Sequence, residues 1–408
     1  MDYSRSDHSL DLDPRDPTFF NNPYPAYHAI RQRSPVFFWK QYGMWCFASH
    51  ADVTALFRDK RFGRQVLHVA TSEELGWPAM PSHVKPFYDV EDHSLLSLEP
   101  PDHTRLRTLI NRAFVSRQVE RLASRIEKLA HELIDGFESQ GRVELLEAFA
   151  TPIPVIVIAE LLGVPPSMAP QLLEWSHKMV AMYQFGRSRE AEDLAVKATQ
   201  EFVAYLKAYI AECRNKPADD LMSHLIAAET EGMKLTEDEL VSTCILVLNA
   251  GHEATVHSLG NGVKALLEEG IDARSILSDI ASGERLVEEL LRYDAPLHLF
   301  TRYVLEDLEW NGLRLKKGEE IGLMLGAANR DPARFVDPDR LDPTRDPNPQ
   351  QSFGGGIHFC VGAPLARLEM RIALKVLFDR LPGLRLARTP LYRDVYHFHG
   401  LERLDVAF

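Results

Sequence analysis

A mainly α-helical fold with small β-sheets is what the 408-residue sequence predicts, and three observations carry that prediction. Thr236-Glu237-Asp238-Glu239 has the form of a capping box, and helical character continues from it to Glu269, before Gly270. At about 1.5 Å per residue, these roughly 33 residues make a central helix about 50 Å long, enough to cross a whole domain. Strand-like runs are short and fall near Pro35–Ala48, Thr301–Leu325 and the C-terminus. Hydrophobic residues make up 45% of the chain, and no Pro/Gly/Ser linker, repeat or low-complexity tract divides it. Residues 1–408 are therefore expected to form one large domain.

The first residues, Met1-Asp2-Tyr3-Ser4-Arg5-Ser6-Asp7, are polar and lead into no apolar signal core. The most apolar stretch, Pro152 to Pro165, is broken by prolines and Glu160 and is too short to span a bilayer. A cytoplasmic, monomeric protein without a membrane anchor is expected. A net charge of −13 argues against nucleic acid and anionic membranes as partners. Cys46, Cys213, Cys244 and Cys360 are too scattered for a disulfide framework, and Cys46 and Cys244 lie among apolar neighbours as buried thiols do.

The fourth cysteine stands apart. Phe353-Gly354-Gly355-Gly356-Ile357-His358-Phe359-Cys360-Val361-Gly362-Ala363-Pro364 puts it on a glycine-rich loop with a helix-like run behind it. Such a loop folds tightly enough to turn several amides on one atom, and the following helix N-terminus would help hold a thiolate. A lone thiolate suits haem iron better than zinc or an iron–sulfur cluster, which need clustered ligands. A buried structural thiol is the alternative. Nucleotide binding is excluded by the missing lysine and G-x-G-x-x-G spacing.

This segment resembles the haem-binding signature of the cytochrome P450 family, F-x-x-G-x-x-x-C-x-G, and further motifs extend the resemblance from about residue 20 to the C-terminus. The resemblance implies a soluble bacterial-type cytochrome P450 fold, with the haem ligand loop at 353–362 and a long distal helix at about 236–269. It also implies haem b (iron protoporphyrin IX) as cofactor, with Cys360 as the iron ligand and Phe353, Gly354 and Gly362 shaping the loop.

Haem carries two propionates, and a buried site needs cations to offset them. In Glu99-Pro100-Pro101-Asp102-His103-Thr104-Arg105-Leu106-Arg107, a helix starts at the prolines, and His103 and Arg107 share one face. The family's propionate-binding histidine and arginine fall on these two. Arg105 is on another face and is expected to be solvated. Arg302, after the turn Asp294-Ala295-Pro296, and His358 complete the cationic set. Glu289-Leu290-Leu291-Arg292 resembles the E-x-x-R motif, whose spacing allows a bidentate buried bridge of structural role. Glu288 is expected to face solvent. Asn329-Arg330-Asp331-Pro332 matches a structural segment without chemistry.

The middle of the long helix, Leu248-Asn249-Ala250-Gly251-His252-Glu253-Ala254-Thr255, resembles the oxygen-binding motif A-G-x-[DE]-T. Ala250, Gly251 and Glu253 match it. The threonine position holds Ala254, and Thr255 is rotated about 100° away. Glu253 is thus the candidate for proton delivery, with a substrate hydroxyl or a trapped water, the latter supported by Ser258, in the threonine's place, or else with partial uncoupling and release of peroxide.

Candidates for the substrate pocket are Val66, Leu67, Met182, Phe185, Leu246, Asn249, Ala250, Leu297, Leu299 and Phe398, with plain core packing as the alternative for each. Asn249, and the His397-Phe398-His399 tip, would hydrogen-bond an oxygen function on a mainly apolar substrate such as a terpenoid, fatty acid derivative or polyketide. The expected reaction is monooxygenation with dioxygen. Electrons would come from a separate ferredoxin and ferredoxin reductase, because no flavin or iron–sulfur segment is fused to the chain. Residues 103–128 carry Arg105, Arg107, Arg112, Arg117, Arg121, Arg125 and Lys128 against Glu120 and Glu127, a basic patch for an acidic ferredoxin. A peroxide-driven peroxygenase is the competing enzyme reading, to which Ala254 gives some room. A haem-based sensor is the competing non-enzymatic one.

Overall fold

The computed structural model describes residues 8–113, 121–230 and 232–408. The long helix runs Glu237–Glu268 and begins as its capping box requires. The Thr236 hydroxyl accepts from the Glu239 amide, and the Glu239 carboxylate accepts from the Thr236 amide. Buried residues fall all around this helix, which places it at the centre of the helical core. Helices Pro152–Leu162, Ala169–Val180, Arg189–Asn215, Ile280–Tyr293 and Ala363–Arg380 pack directly on it.

Most strands fall where the short β-rich runs were read, while Ser9–Leu10, Phe62–Gly63, Arg142–Glu144, Glu229–Thr230 and Met233–Lys234 lie outside them. Val36–Trp39 and Met44–Phe47 pair antiparallel, and Met44–Phe47 runs parallel to Glu320–Leu323. That strand pairs antiparallel with Phe300–Val304, which in turn holds the edge strand Phe62–Gly63. With Ser9–Leu10 they form a six-stranded sheet with its own apolar clusters, apart from the main helical core. At the C-terminus, Arg385–Leu386 and Asp405–Ala407 join Arg142–Glu144 in a three-stranded sheet. Cys46, Cys213 and Cys244 are buried free thiols. Among the described residues, no helix is long and apolar enough to cross a membrane.

Candidate functional site

The glycine-rich loop closes on itself where the Cys360 amide donates to the Phe353 carbonyl at 3.1 Å. Gly356 has φ +67°, and a Cβ there would stand 2.0 Å from the Phe57 carbonyl oxygen, so only glycine fits. Cys360 is half-buried, three residues before helix Ala363–Arg380. Burial pushes its thiol up, while the amides of Gly362 and Ala363 and the charge of Arg107 pull it down. Burial wins. The amides and Arg107 offset the burial only in part, and a metal cation on the sulfur would lower the thiol further.

Imidazole and guanidinium nitrogens converge beside this loop. His103, on helix Asp102–Ala113, meets the His358 ring edge-on at 4.5 Å. His103 Nδ1 and Nε2 and His358 Nε2 are buried without hydrogen-bond partners among the described residues. Burial, then the neighbouring His358, lowers the His103 pKa to about 4. Arg107 donates to the Phe359 carbonyl at 2.7 Å. Arg302 is 2% exposed, and no carboxylate among the described residues comes within ion-pair distance of it, Glu99 acting on it only from further away. Its guanidinium stacks on Phe57 and Phe300 and donates only to Thr301 O. Burial, reinforced by Arg64, drops its pKa to about 9.

Arg64 was not legible as part of this group. Strand Phe62–Gly63 pairs antiparallel with Phe300–Val304, and that register carries Arg64 alongside Arg302. Arg64 Nη1 donates to Thr301 O and Oγ1 at 2.9 and 3.1 Å. Glu99 reaches the same place, with Oε1 2.5 Å from the Arg64 amide and 3.5 Å from His358 Nε2. A set of buried imidazole nitrogens and an unopposed guanidinium fits a dianionic group with two carboxylates, as haem has.

Glu289 and Arg292, on helix Ile280–Tyr293, are fully buried and bidentate at 2.7 and 2.8 Å. Arg292 also donates to the carbonyls of Asn329, Pro338 and Arg340. Glu289 accepts from Arg345, Asn348 and the Asp342 amide, three partners the motif did not announce. Asn329 accepts from the Gln351 amide and donates to Ser352 Oγ, which ties this knot to the entrance of the cysteine loop. Glu288 is not solvated as expected: it takes Arg367 of the cysteine helix at 3.0 Å. Arg105 is likewise not free, because its guanidinium pairs with Glu239 at the start of the long helix.

On the distal side Glu253 is 8% exposed and ringed by imidazoles. His252 Nε2 and His177 Nε2 lie 3.2 and 3.5 Å from Oε2, and His257 Nε2 lies 3.3 Å from Oε1. Burial raises its pKa, but the histidines outweigh it and leave the carboxyl well below its ordinary value. Gly251 packs on Ile158, where a Cβ would come within 2.3 Å of Cδ1, so its smallness serves helix packing. The Thr255 hydroxyl donates to Gly251 O and Ser258 to Ala254 O, so both protons are spent on the helix backbone. Ala254 is half-buried beside them.

Of the pocket candidates, Val66, Met182 and Leu299 are buried, while Leu246, Asn249 and Leu297 are half-buried. Ala250 is exposed, as are Leu67 and Phe185, the latter against Tyr42 at 4.8 Å. Leu297 and Phe398 form an antiparallel bridge. Asn249 Nδ2 contacts Met179 S at 3.8 Å, and its Oδ1 is buried without a partner among the described residues. His399 turns into the core, stacked on Tyr392 and facing Asp294, so it is not a pocket donor. The basic stretch is weaker than its count. Arg125 pairs with Glu160 and Glu132, Arg121 with Asp219 and Lys128 with Glu132. Arg117 and Glu120 lie outside the described residues.

The family model for cytochrome P450 matches residues 278–381, which span Glu289, Arg302 and Cys360. The polyketide biosynthesis cytochrome P450 PksS of Bacillus subtilis is 37% identical over 404 residues, covering 97% of this chain and 98% of that protein. The biotin biosynthesis cytochrome P450 of the same organism is 36% identical, covering 96% and 97%. Among solved structures, P450BioI in complex with an acyl carrier protein ligated with hexadec-9Z-enoic acid superposes with a TM-score of 0.88. It is 35% identical over 96% of this chain and 99% of that one. Identity of this extent along nearly the whole length of both partners makes the chain a member of the cytochrome P450 family, and a monooxygenase by that membership.

Proposed function

We propose that this enzyme binds haem b with Cys360 as iron ligand and oxidises a mainly apolar fatty-acyl or polyketide chain with dioxygen, using electrons from a separate ferredoxin. The observation that carries the proposal is the group of buried donors beside the cysteine loop: His103 and Arg302, which have no carboxylate in ion-pair reach among the described residues, and His358, which faces Glu99. Haem bound there supplies the activation of dioxygen and the insertion of one oxygen atom.

The rest falls to the protein. His103, Arg107, Arg302 and His358, with Arg64, hold the propionates. Glu253, kept ionised by its histidines, takes protons from the solvent side through half-exposed His177 and hands them to the oxygen site. With the Thr255 and Ser258 hydroxyls donating to backbone carbonyls, a water or a substrate hydroxyl beside Ala254 completes the path. Asn249 Oδ1, an unpaired acceptor on an otherwise apolar face, binds a hydroxyl or amide N–H of the substrate. The substrate class is supported by the names of the relatives: PksS acts in polyketide biosynthesis, and P450BioI was seen with a carrier-bound fatty acyl chain. Delivery of the chain on an acyl carrier protein is part of the proposal.

The test runs the purified enzyme with ferredoxin, reductase and reduced nicotinamide nucleotide, or with hydrogen peroxide alone, on free and carrier-bound acyl chains. Product with the ferredoxin system and far less with peroxide supports the monooxygenase reading. The reverse pattern replaces it with the peroxygenase one. Absorbance of the reduced carbon monoxide adduct, compared between wild type and Cys360→Ser, tests Cys360 ligation independently.

A further inference from the structure

Two compact groups of histidines and acids occur among the described residues, and they differ in what their ligand atoms already do. Asp294, His298 and His399 are all buried. Tyr24 and Tyr392 donate to the Asp294 oxygens and Tyr27 holds His298 Nδ1 at 2.6 Å, which leaves His298 Nε2 without a hydrogen-bond partner among the described residues. That group has no side open to solvent.

His177, His252 and Glu253 are different. Their ligand atoms lie within 4.8 Å of one another, and one side of the group opens to solvent through His177, whose side chain is 48% exposed. His252 Nδ1 lies 2.8 Å from the Leu248 carbonyl. A carbonyl can only accept, so Nδ1 carries a proton and Nε2 is the ring atom left to face the carboxylate. Nε2 is buried, has no hydrogen-bond partner of good geometry among the described residues, and stands 3.2 Å from Oε2 of Glu253. A proton or a metal cation can bridge those two atoms.

Two of the three distances between the ligand atoms match those of a metal site, and the third is within 4.8 Å. Ligands held tetrahedrally at about 2.0–2.1 Å from zinc are about 3.3 Å from one another. Oε2 of Glu253 is 3.2 Å from His252 Nε2 and 3.5 Å from His177 Nε2. The surroundings match as well. His252 donates its other ring N–H to a carbonyl, and His257 Nε2 stands 3.3 Å from the second carboxylate oxygen, with Arg393 at 3.8 Å. Such contacts orient metal-binding imidazoles and carboxylates. We propose that His177 Nε2, His252 Nε2 and Glu253 Oε2 form a binding site for a divalent transition metal of the Zn2+ class, with an open fourth position toward solvent. An ion there staples helix Ala169–Val180 to the long helix and engages the carboxylate of Glu253.

Binding is independent of the proposed role of Glu253 in turnover, and the test keeps the two apart. Purified, chelator-treated holoenzyme is dialysed against graded ZnCl2, and protein-bound zinc is counted per haem by mass spectrometry. Wild type should retain one ion more tightly than any other. His177→Ala, a change at a half-exposed side chain, and His252→Gln should each weaken that ion at least tenfold, with the reduced carbon monoxide spectrum reporting intact folding. Equal retention by wild type and both variants would assign the zinc to other histidines and overturn the site. No retained zinc in wild type would mean that a proton, not a metal, sits between Nε2 and Oε2. Should Zn2+ bind as described but leave turnover untouched, the proton-delivery role of Glu253 fails while the metal site stands.

Discussion

Glu369→Gln should stabilise the protein at neutral pH, by an amount that grows as the solution becomes more alkaline. Glu369 lies in the cysteine helix, 1% exposed, and its Oε1 has no hydrogen-bond partner among the described residues. Burial alone raises its pKa from 4.5 to about 8. Below about pH 4.5 the folded and unfolded chains both hold the proton, and burial of the carboxyl carries no ionisation penalty. Between there and about pH 8 the unfolded chain releases its proton while the folded one keeps it, so stability falls as pH rises. Above about 8 both are ionised and the penalty is constant. At about 1.4 kcal/mol per unit, the span from 4.5 to pH 7 corresponds to about 3 kcal/mol, less whatever local relaxation recovers. Glutamine keeps the shape of the neutral acid without ionising. Unfolding of wild type and Glu369→Gln is followed by far-UV circular dichroism in denaturant from pH 5 to 8. The two curves should nearly coincide at pH 5 and separate by a few kcal/mol at pH 7–8. A difference constant across that range would show that Glu369 ionises normally in the fold and would refute the argument.

Arg302→Leu removes the guanidinium with no carboxylate partner, and a charge-assisted hydrogen bond of about 1.5–3 kcal/mol predicts roughly ten- to hundredfold faster haem transfer to apomyoglobin. Gly251→Ala places a methyl 2.3 Å from Ile158 Cδ1 and should cost about 1–3 kcal/mol, with most of the loss recovered in Gly251→Ala/Ile158→Val. Thermal denaturation of the single and double variants decides it. Ala254→Thr restores the hydroxyl of the oxygen-binding motif; if water or substrate already fills that role, product formed per nicotinamide nucleotide stays within about twofold of wild type. A sharp rise in yield with a fall in peroxide would mean the native site is uncompensated. Arg112→Glu should slow reduction by ferredoxin several-fold at low salt without changing the substrate constant, and stopped-flow reduction at two ionic strengths checks this.

What was legible in the sequence was what is encoded over a few contiguous residues. The capping box at Thr236, the glycine loop before Cys360 and the three-residue spacing of Glu289 and Arg292 all became the local structures their spacing requires. What escaped depends on register and packing between distant segments. Arg64 joins the cations only because its strand pairs with the one bearing Arg302. Arg105 was judged by its own helix face, whereas its partner Glu239 comes from 134 residues away. Glu288 and Arg367 are a similar case. The ring around Glu253 draws His177 from another helix, which no local pattern announces, whereas His257, four residues after Glu253 on the same helix face, was a signal the sequence offered.

The unopposed charge of Arg302 also bears on the life of the polypeptide after synthesis. A guanidinium kept 2% exposed beside Arg64, with no carboxylate in ion-pair reach among the described residues, is an unfavourable arrangement until an anion arrives. Any dianion that binds only the folded chain deepens its stability by mass action. With haem as that dianion, a larger share of nascent chains would escape chaperone and protease triage when the cofactor is plentiful, so abundance would follow cofactor delivery as well as transcription.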